Sequence, residues 1–252
     1  MSAPDEVKTV RPLSSKKTRR EILRSVAMGG AVVGASLFGF FPTIKKWTPR
    51  LRPPGAIAED DFLAACIKCG QCVQVCPVEA IRLGDLDEGF GVGVPFVDAR
   101  SQACDFSCDA VQCILACPTG ALAQEIDKKE QVRMGLARLD KPGRCLARQG
   151  KGIKGPARGP KFEGIHRIEK IDRWKPVKMA SYDYDLELCD LCVRECPIKG
   201  AISLEPMPED PTGFKRTPVV HEPCTGCGMC EMICPVEPAV IVIDIRRKWG
   251  DV

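Results

Sequence analysis

The chain has 252 residues and ordinary charged and apolar fractions, but its low aromatic share (6%) and 16 cysteines point to metals or disulfides supporting a small apolar core. Its formal charge of +4 belongs to one end: residues 1–58 hold 11 of the 37 Lys and Arg but 3 of the 33 Asp and Glu, leaving a net of −4 in the rest. An acidic main body excludes nucleic acid as its partner, and the length allows one large domain or two small ones.

Residues 1–58 read as a leader and linker. SSKKTRREILRS (14–25) precedes VAMGGAVVGASLFGFF (26–41), a basic stretch before a Gly-rich apolar run. That order is signal-like, and Arg19-Arg20 marks the twin-arginine type. Thr18–Arg24 resembles the S/T-R-R-x-F-L-K pattern of such signals, with Ile22 and Arg24 as departures. The apolar run of 16 residues falls just under the ~17–25 of a spanning helix, and its glycines weaken it further. An N-terminal anchor is the competing reading. Ala56-Ile57-Ala58 is a cleavage candidate, and an uncleaved leader is the alternative. The twin-arginine route carries folded proteins, which suits a cofactor inserted before export. The cysteines are therefore expected to hold metal rather than form disulfides. The expected location is the periplasm, in solution or at the membrane.

Residues 59–252 carry the cysteines. The first run is Cys66-x2-Cys69-x2-Cys72-x3-Cys76-Pro77, and the last is Cys224-x2-Cys227-x2-Cys230-x3-Cys234-Pro235. Both match the bacterial pattern for a [4Fe-4S] cluster, in which three close thiolates wrap an iron–sulfide cube and the fourth, in paired sites, reaches the neighbouring cluster. Gly70, Gly226 and Gly228 allow the backbone to approach and aim N–H groups at sulfur. The second run, Cys104-x3-Cys108-x4-Cys113-x3-Cys117-Pro118, is looser but keeps four thiols and the closing Cys-Pro.

A third run, Cys189-x2-Cys192-x3-Cys196-Pro197, lacks its first cysteine, and Leu186 stands in that place. The intervals between runs supply it. Cys76 to Cys104 and Cys196 to Cys224 are each 28 positions, and Cys117 to Cys145 is also 28. Cys145 therefore opens the third motif, split by the 43 residues before Cys189. Four sets of four then use all 16 cysteines. After each Cys-Pro comes a small-residue turn and an apolar stretch (AIRLG, ALAQEI, AISLE, AVIVIDI), then a strand-like return such as VPFVDA or TPVVHE. Each unit is expected to be loop, one helical turn and hairpin, with Gly91 and Gly93 as turn residues.

The split is filled by a basic insertion, residues 151–183, whose first 30 residues hold nine Lys and Arg against three acids. It begins as a Gly/Pro loop and continues with an amphipathic pattern, Ile165, Ile168, Ile171 and Trp174. It is either a solvated surface excursion or a docking face for a membrane surface or protein partner. His166 and His221 are expected in surface or hydrogen-bonding roles, since cysteine already supplies the ligands. No Ser/His/Asp grouping, HExxH or phosphate-cradling loop is present.

The twin-arginine leader, LRPPGA (51–56), CIKCGQCVQVCP (66–77), CILACPTGAL (113–122), RCLARQG (144–150), CDLCVRECP (189–197) and PCTGCGMCEMICP (223–235) together resemble the ferredoxin-type MauM/NapG family. The resemblance implies an α+β fold of tandem dicluster ferredoxin-like units holding four [4Fe-4S] clusters. It implies a periplasmic carrier of single electrons, working with a membrane-bound iron–sulfur partner that oxidises quinol and with a periplasmic redox partner in nitrate reduction or methylamine utilisation. Such a protein is more a carrier or component of a quinol dehydrogenase than a catalyst in its own right. The long insertion departs from the family pattern. The alternative is an electron-transfer subunit of a molybdenum-type oxidoreductase. A protein stapled by zinc or disulfides fits the Cys-Pro endings poorly. Equal intervals allow adjacent pairing of motifs or nested pairing, first with fourth and second with third. Resemblance to multi-cluster subunits with a loose second motif implies the nested form.

Overall fold

The computed structural model describes residues 18–40, 49–85, 91–166, 175 and 177–245. The chain falls into two compact units, Met1–Lys45 and Lys46–Val252. In the first, helix α1 spans Arg19–Phe40. The Thr18 N–H donates to the Glu21 carboxylate at 2.9 Å, satisfying an orphan donor where negative charge also suits the helix dipole. Among the described residues no helix is long and apolar enough to cross a membrane.

The second unit is α+β and built of short pieces. Helix α2 (Glu59–Ala65) starts with Glu59, Asp60 and Asp61, complementary to its positive end, and buries Phe62. Helices α3 (Gln71–Gln74), α4 (Gln112–Leu115), α5 (Leu191–Arg194) and α6 (Met229–Ile233) are single turns. One turn cannot hold itself together in water. These are held by tertiary contact, α3 packing on α4 and α5 on α6. Pro77, Pro118, Pro197 and Pro235 follow each closing cysteine and prevent the turn from continuing.

The strands are β1 (Ile81–Leu83), β2 (Pro95–Val97), β3 (Leu136–Leu139), β4 (Ile153–Gly155), β5 (Ile165–His166), β6 (Val177–Lys178), β7 (Tyr184–Leu186), β8 (Ile202–Pro206), β9 (Arg216–Val220) and β10 (Ile241–Asp244). They form antiparallel pairs: β1 with β2, β3 with β10, β4 with β7, β5 with β6, and β8 with β9. Gly93, at φ 73°, donates to the Gly84 carbonyl and closes the β1–β2 connection.

Two expectations are corrected. ALAQEI forms no strand, and the second cysteine motif has no hairpin of its own. Leu122 instead bridges back to Ala56, while β3, the strand before Cys145, pairs with β10 at the far end of the chain. The outer segments of each two-motif block pair with each other, so only the inner link of a block becomes a hairpin. Second, the linker expected to run to residue 58 is already part of the body. Leu51 bridges Val97, and Arg52, 7% exposed, donates to the Glu59 carboxylate and to the Pro95 carbonyl.

Apolar burial is modest and concentrated around the cysteine runs. Phe62, Ile114, Leu122, Met179, Leu191, Met229, Met232 and Ile233 are almost completely buried. Ile168, Ile171 and Trp174 of the amphipathic pattern lie outside the described residues.

Candidate metal centres

All sixteen cysteines are free thiols, and they gather in four sets that cut across the motifs. Set I joins Cys66, Cys69 and Cys72 to Cys117 in a pocket walled by Phe62, Ile67, Pro95 and Leu122. Set II is the remaining four, Cys104, Cys108 and Cys113 with Cys76: besides burial, Cys108 and Cys76 raise the Cys113 thiol, and Cys227 of set IV followed by Cys113 raises that of Cys104. Set III places Cys145 with Cys189, Cys192 and Cys234, against Leu139, Leu191 and Ile241. Set IV holds Cys196 with Cys224, Cys227 and Cys230, against Ala137, Ile202 and Met229.

The nested pairing implied by resemblance is therefore corrected: the motifs pair with their neighbours. Each closing cysteine follows a one-turn helix that packs on the helix of the adjacent motif, so its thiol crosses into the adjacent set. Nesting would instead require α3 to pack on α6. Sets II and IV meet at a seam, where the Cys104 N–H donates to the Cys227 carbonyl at 3.3 Å and the Ala103 N–H to Met232 Sδ at 3.1 Å. The neighbour order is I, II, IV, III, which differs from chain order.

The local backbone is shaped for sulfur. Gly70 and Gly228 cap α3 and α6 from the left-handed region, at φ 74° and 90°, and so turn the free N–H ends of those helices toward the thiols. N–H groups of Val73, Ile114, Leu191 and Met229 serve Cys72, Cys113, Cys189 and Cys227 in turn. The Ala80 N–H donates to Cys76 Sγ at 3.3 Å. Val111 fills the same capping place before α4 at φ 46°, a strained conformation for a β-branched residue. The looser gaps of the second motif did not reveal it. Gly226 lies against the backbone of Gly135, leaving no room for a side chain.

Burial dominates the thiols' acidity. Burial, then the charge of Cys66, pushes Cys72 up to about 11. Burial raises Cys189 to about 11 against the Leu191 N–H, and Cys227 to about 12 against the Met229 N–H. Cys117 differs: burial raises it, but N–H groups of Thr119, Leu122 and Gly120 with the Thr119 hydroxyl outweigh that and lower it. Buried thiols raised by desolvation and by neighbouring thiolates, as at Cys72, Cys189 and Cys227, ask for concentrated positive charge, which metal ligation supplies. Among the described residues no three His, Cys, Asp or Glu side chains could hold a single ion; an iron–sulfide cube spreads its ligands over separate corners. Four thiols, an apolar wall and N–H donors to sulfur fit a [4Fe-4S] cluster.

The sets differ in exposure. In set I, Cys69 is exposed and its partners half-buried, whereas Cys145, Cys189 and Cys234 of set III are buried. Arg19 and Arg20 stand exposed in the first turn of α1. His221 Nε2 hydrogen-bonds the Ser203 hydroxyl at 2.7 Å. Missed from sequence were Arg100, Gln102 and Arg158, which are drawn into the seam; a lone basic or amide side chain reads as solvated surface and carries no signal of burial.

The family described as "4Fe-4S dicluster domain" matches residues 65–121 and 187–237, each span covering an adjacent pair and the second leaving out Cys145. The chain is 37% identical to the ferredoxin-type protein NapG of Escherichia coli (strain K12), over 92% of this chain and 88% of that protein. It is 34% identical to the methylamine utilization ferredoxin-type protein MauM of Paracoccus denitrificans (strain Pd 1222), over 93% and 90%. Against MauM of Methylorubrum extorquens the identity is 35%, over 92% and 91%. No solved structure matches.

Proposed function

The chain belongs to the ferredoxin-type family of NapG and MauM proteins, and from that premise we propose that it is a four-cluster electron carrier of the periplasm. Its role in iron–sulfur electron transfer follows from the family and its dicluster domains. The reading of four clusters is carried by one observation: sixteen thiols in four exchanged quartets, with Cys145 among them. The ligands are Cys66, Cys69, Cys72 and Cys117; Cys76, Cys104, Cys108 and Cys113; Cys145, Cys189, Cys192 and Cys234; and Cys196, Cys224, Cys227 and Cys230.

When bound, a [4Fe-4S] cluster takes up and returns a single electron. The chain's own part is to hold the thiolates, exclude water with apolar walls, and direct helix N–H groups at sulfur so that charge is tuned without proton exchange. We place the donor of electrons in a membrane-bound iron–sulfur protein that oxidises quinol and the acceptor in a periplasmic redox system; the relatives' names support a ferredoxin-type carrier, in MauM one of methylamine utilization, and the leader supports the periplasmic side. Arg19 and Arg20 are the export signal in this reading. Anaerobically purified protein should contain about sixteen iron and sixteen acid-labile sulfide per chain; a content near eight would reject the four-cluster reading. Arg19→Lys with Arg20→Lys should leave the protein in the cytoplasmic fraction, and unchanged export would reject the twin-arginine route.

A further inference from the structure

We infer that the basic insertion is an internal clamp: it docks through Arg158 and Ile165 across the seam between sets II and IV and holds the two motif pairs in register. The seam's first side is the segment between β2 and Cys104. From it, Arg100 reaches into the second pair and donates to the carbonyls of Glu231 at 2.6 Å, Cys234 at 2.9 Å and Val236 at 3.0 Å, and to the Glu237 carboxylate at 2.6 Å. One guanidinium thereby satisfies the orphan carbonyls at the end of α6, the helix that carries Cys230, where a cation also suits the dipole.

The insertion then covers this contact from outside. Arg158 donates to the Arg100 carbonyl at 2.7 Å and to the Met232 carbonyl at 3.3 Å, so one side chain bonds both motif pairs at once. It also stands 3.5 Å from the Glu237 carboxylate that Arg100 uses, and its guanidinium lies 3.9 Å from the Phe162 ring centre. Two like charges side by side would repel, but each has a carbonyl or carboxylate partner of its own. Seven residues beyond Arg158, Ile165 of β5 is held by both ends of the buried Gln102 amide, which accepts from the Ile165 N–H at 2.5 Å and donates to the Ile165 carbonyl at 2.6 Å. The pairing of β4 with β7 returns the chain, and the Cys189 N–H donates to the Lys151 carbonyl at 2.9 Å. The 43 residues between Cys145 and Cys189 thus leave set III closed while the excursion reaches across to the seam. Two exposed lysines of the insertion, Lys154 and Lys178, pair with its own or adjoining acids, Asp185 and Glu163, which weakens the case for a docking face.

This inference rests on the four-cluster reading for its purpose but not for its test. In the unaltered holoprotein, hydrogen exchange should find the Ile165 and Cys104 amides protected; exchange at the rate of exposed peptide at Ile165 would overturn the clamp. In Arg158→Ala, exchange should quicken about tenfold or more both in 157–165 and in 100–104, with 66–76 unchanged. A change confined to the insertion would overturn it as well. If Arg158→Ala does not fold, Gln102→Ala should show the same two-sided response. Arg158 is a positioning residue, so its variant should keep the iron content of the unaltered protein while exchange quickens on both sides of the seam. A uniform fall in iron would mean a general structural role and reject the assignment. Low iron in the unaltered protein would count against the cluster reading, while the exchange comparison would still decide the clamp.

Discussion

The first pair of motifs, Cys66–Cys117, and the second, Cys145–Cys234, reach the same exchange of closing cysteines by different means. The first is contiguous, partly exposed at Cys69, and closed by one bridge, Ala56 to Leu122, together with the anchor of Arg52. The second is interrupted by the insertion, yet it is more buried and closed by the full β3–β10 ladder. Contiguous spacing therefore does not define a site. What defines it is the closure of each pair by its outer segments, which brings a distant cysteine to the right place.

The largest effect expected is at Cys145. Cys145→Ser should cost about four of sixteen iron atoms, all from the second pair, with set I unaltered by EPR; unchanged iron would break the equivalence of the two pairs. Next come two glycines in matching places. A Cβ at Gly228 would strike Ala99 across the seam, whereas one at Gly70 meets only Leu83 at 3.9 Å. Gly228→Ala should destabilise by roughly 3 kcal/mol, through overpacking and the left-handed backbone, and Gly70→Ala by about 1 kcal/mol, through the backbone alone. Anaerobic chemical denaturation measures both, and equal costs would mean that the seam is not tightly packed.

Arg52→Ala should cost roughly 2 kcal/mol, because a buried guanidinium is lost and a half-exposed Glu59 is left without it. Loss of iron on heating should then begin in set I, and a variant that loses the second pair first would contradict the closure argument. The smallest effect belongs to the β8–β9 turn. Asp210 accepts from the Lys215 N–H at 2.7 Å and the Thr212 hydroxyl at 2.8 Å, and these bonds hold its carboxyl below the usual range. Its contribution is present above its unfolded value of about 3.9 and lost as pH falls through the lower folded value. Asp210→Asn should lower the thermal midpoint slightly at neutral pH and not at all in acid; a gap that persists in acid would show that the charge is irrelevant.

The gathering of the thiols was legible in part, since the structure sets Cys145 beside Cys189, Cys192 and Cys234. Cysteine spacing is imposed by the geometry of a cube, and the repeated 28-position interval singled out Cys145 despite its distance from Cys189. The pairing was not legible, because equal intervals are indifferent to which helices pack; that depends on long-range contacts such as α3 on α4. ALAQEI reads as a strand from local pattern, but Leu122 finds its partner in Ala56, nearly seventy residues upstream, and β-propensity yields to such context. LRPPGA reads as linker by its prolines, and only Arg52's distant acceptors show why it belongs to the body.

The claim that each closing cysteine serves the neighbouring motif is tested most directly by locating iron. Anomalous diffraction at the iron edge from anaerobically grown crystals should show four centres, one bounded by Cys145, Cys189, Cys192 and Cys234 and another by Cys66, Cys69, Cys72 and Cys117. A centre bounded by Cys66, Cys69, Cys72 and Cys76, or none at Cys145, would contradict the account.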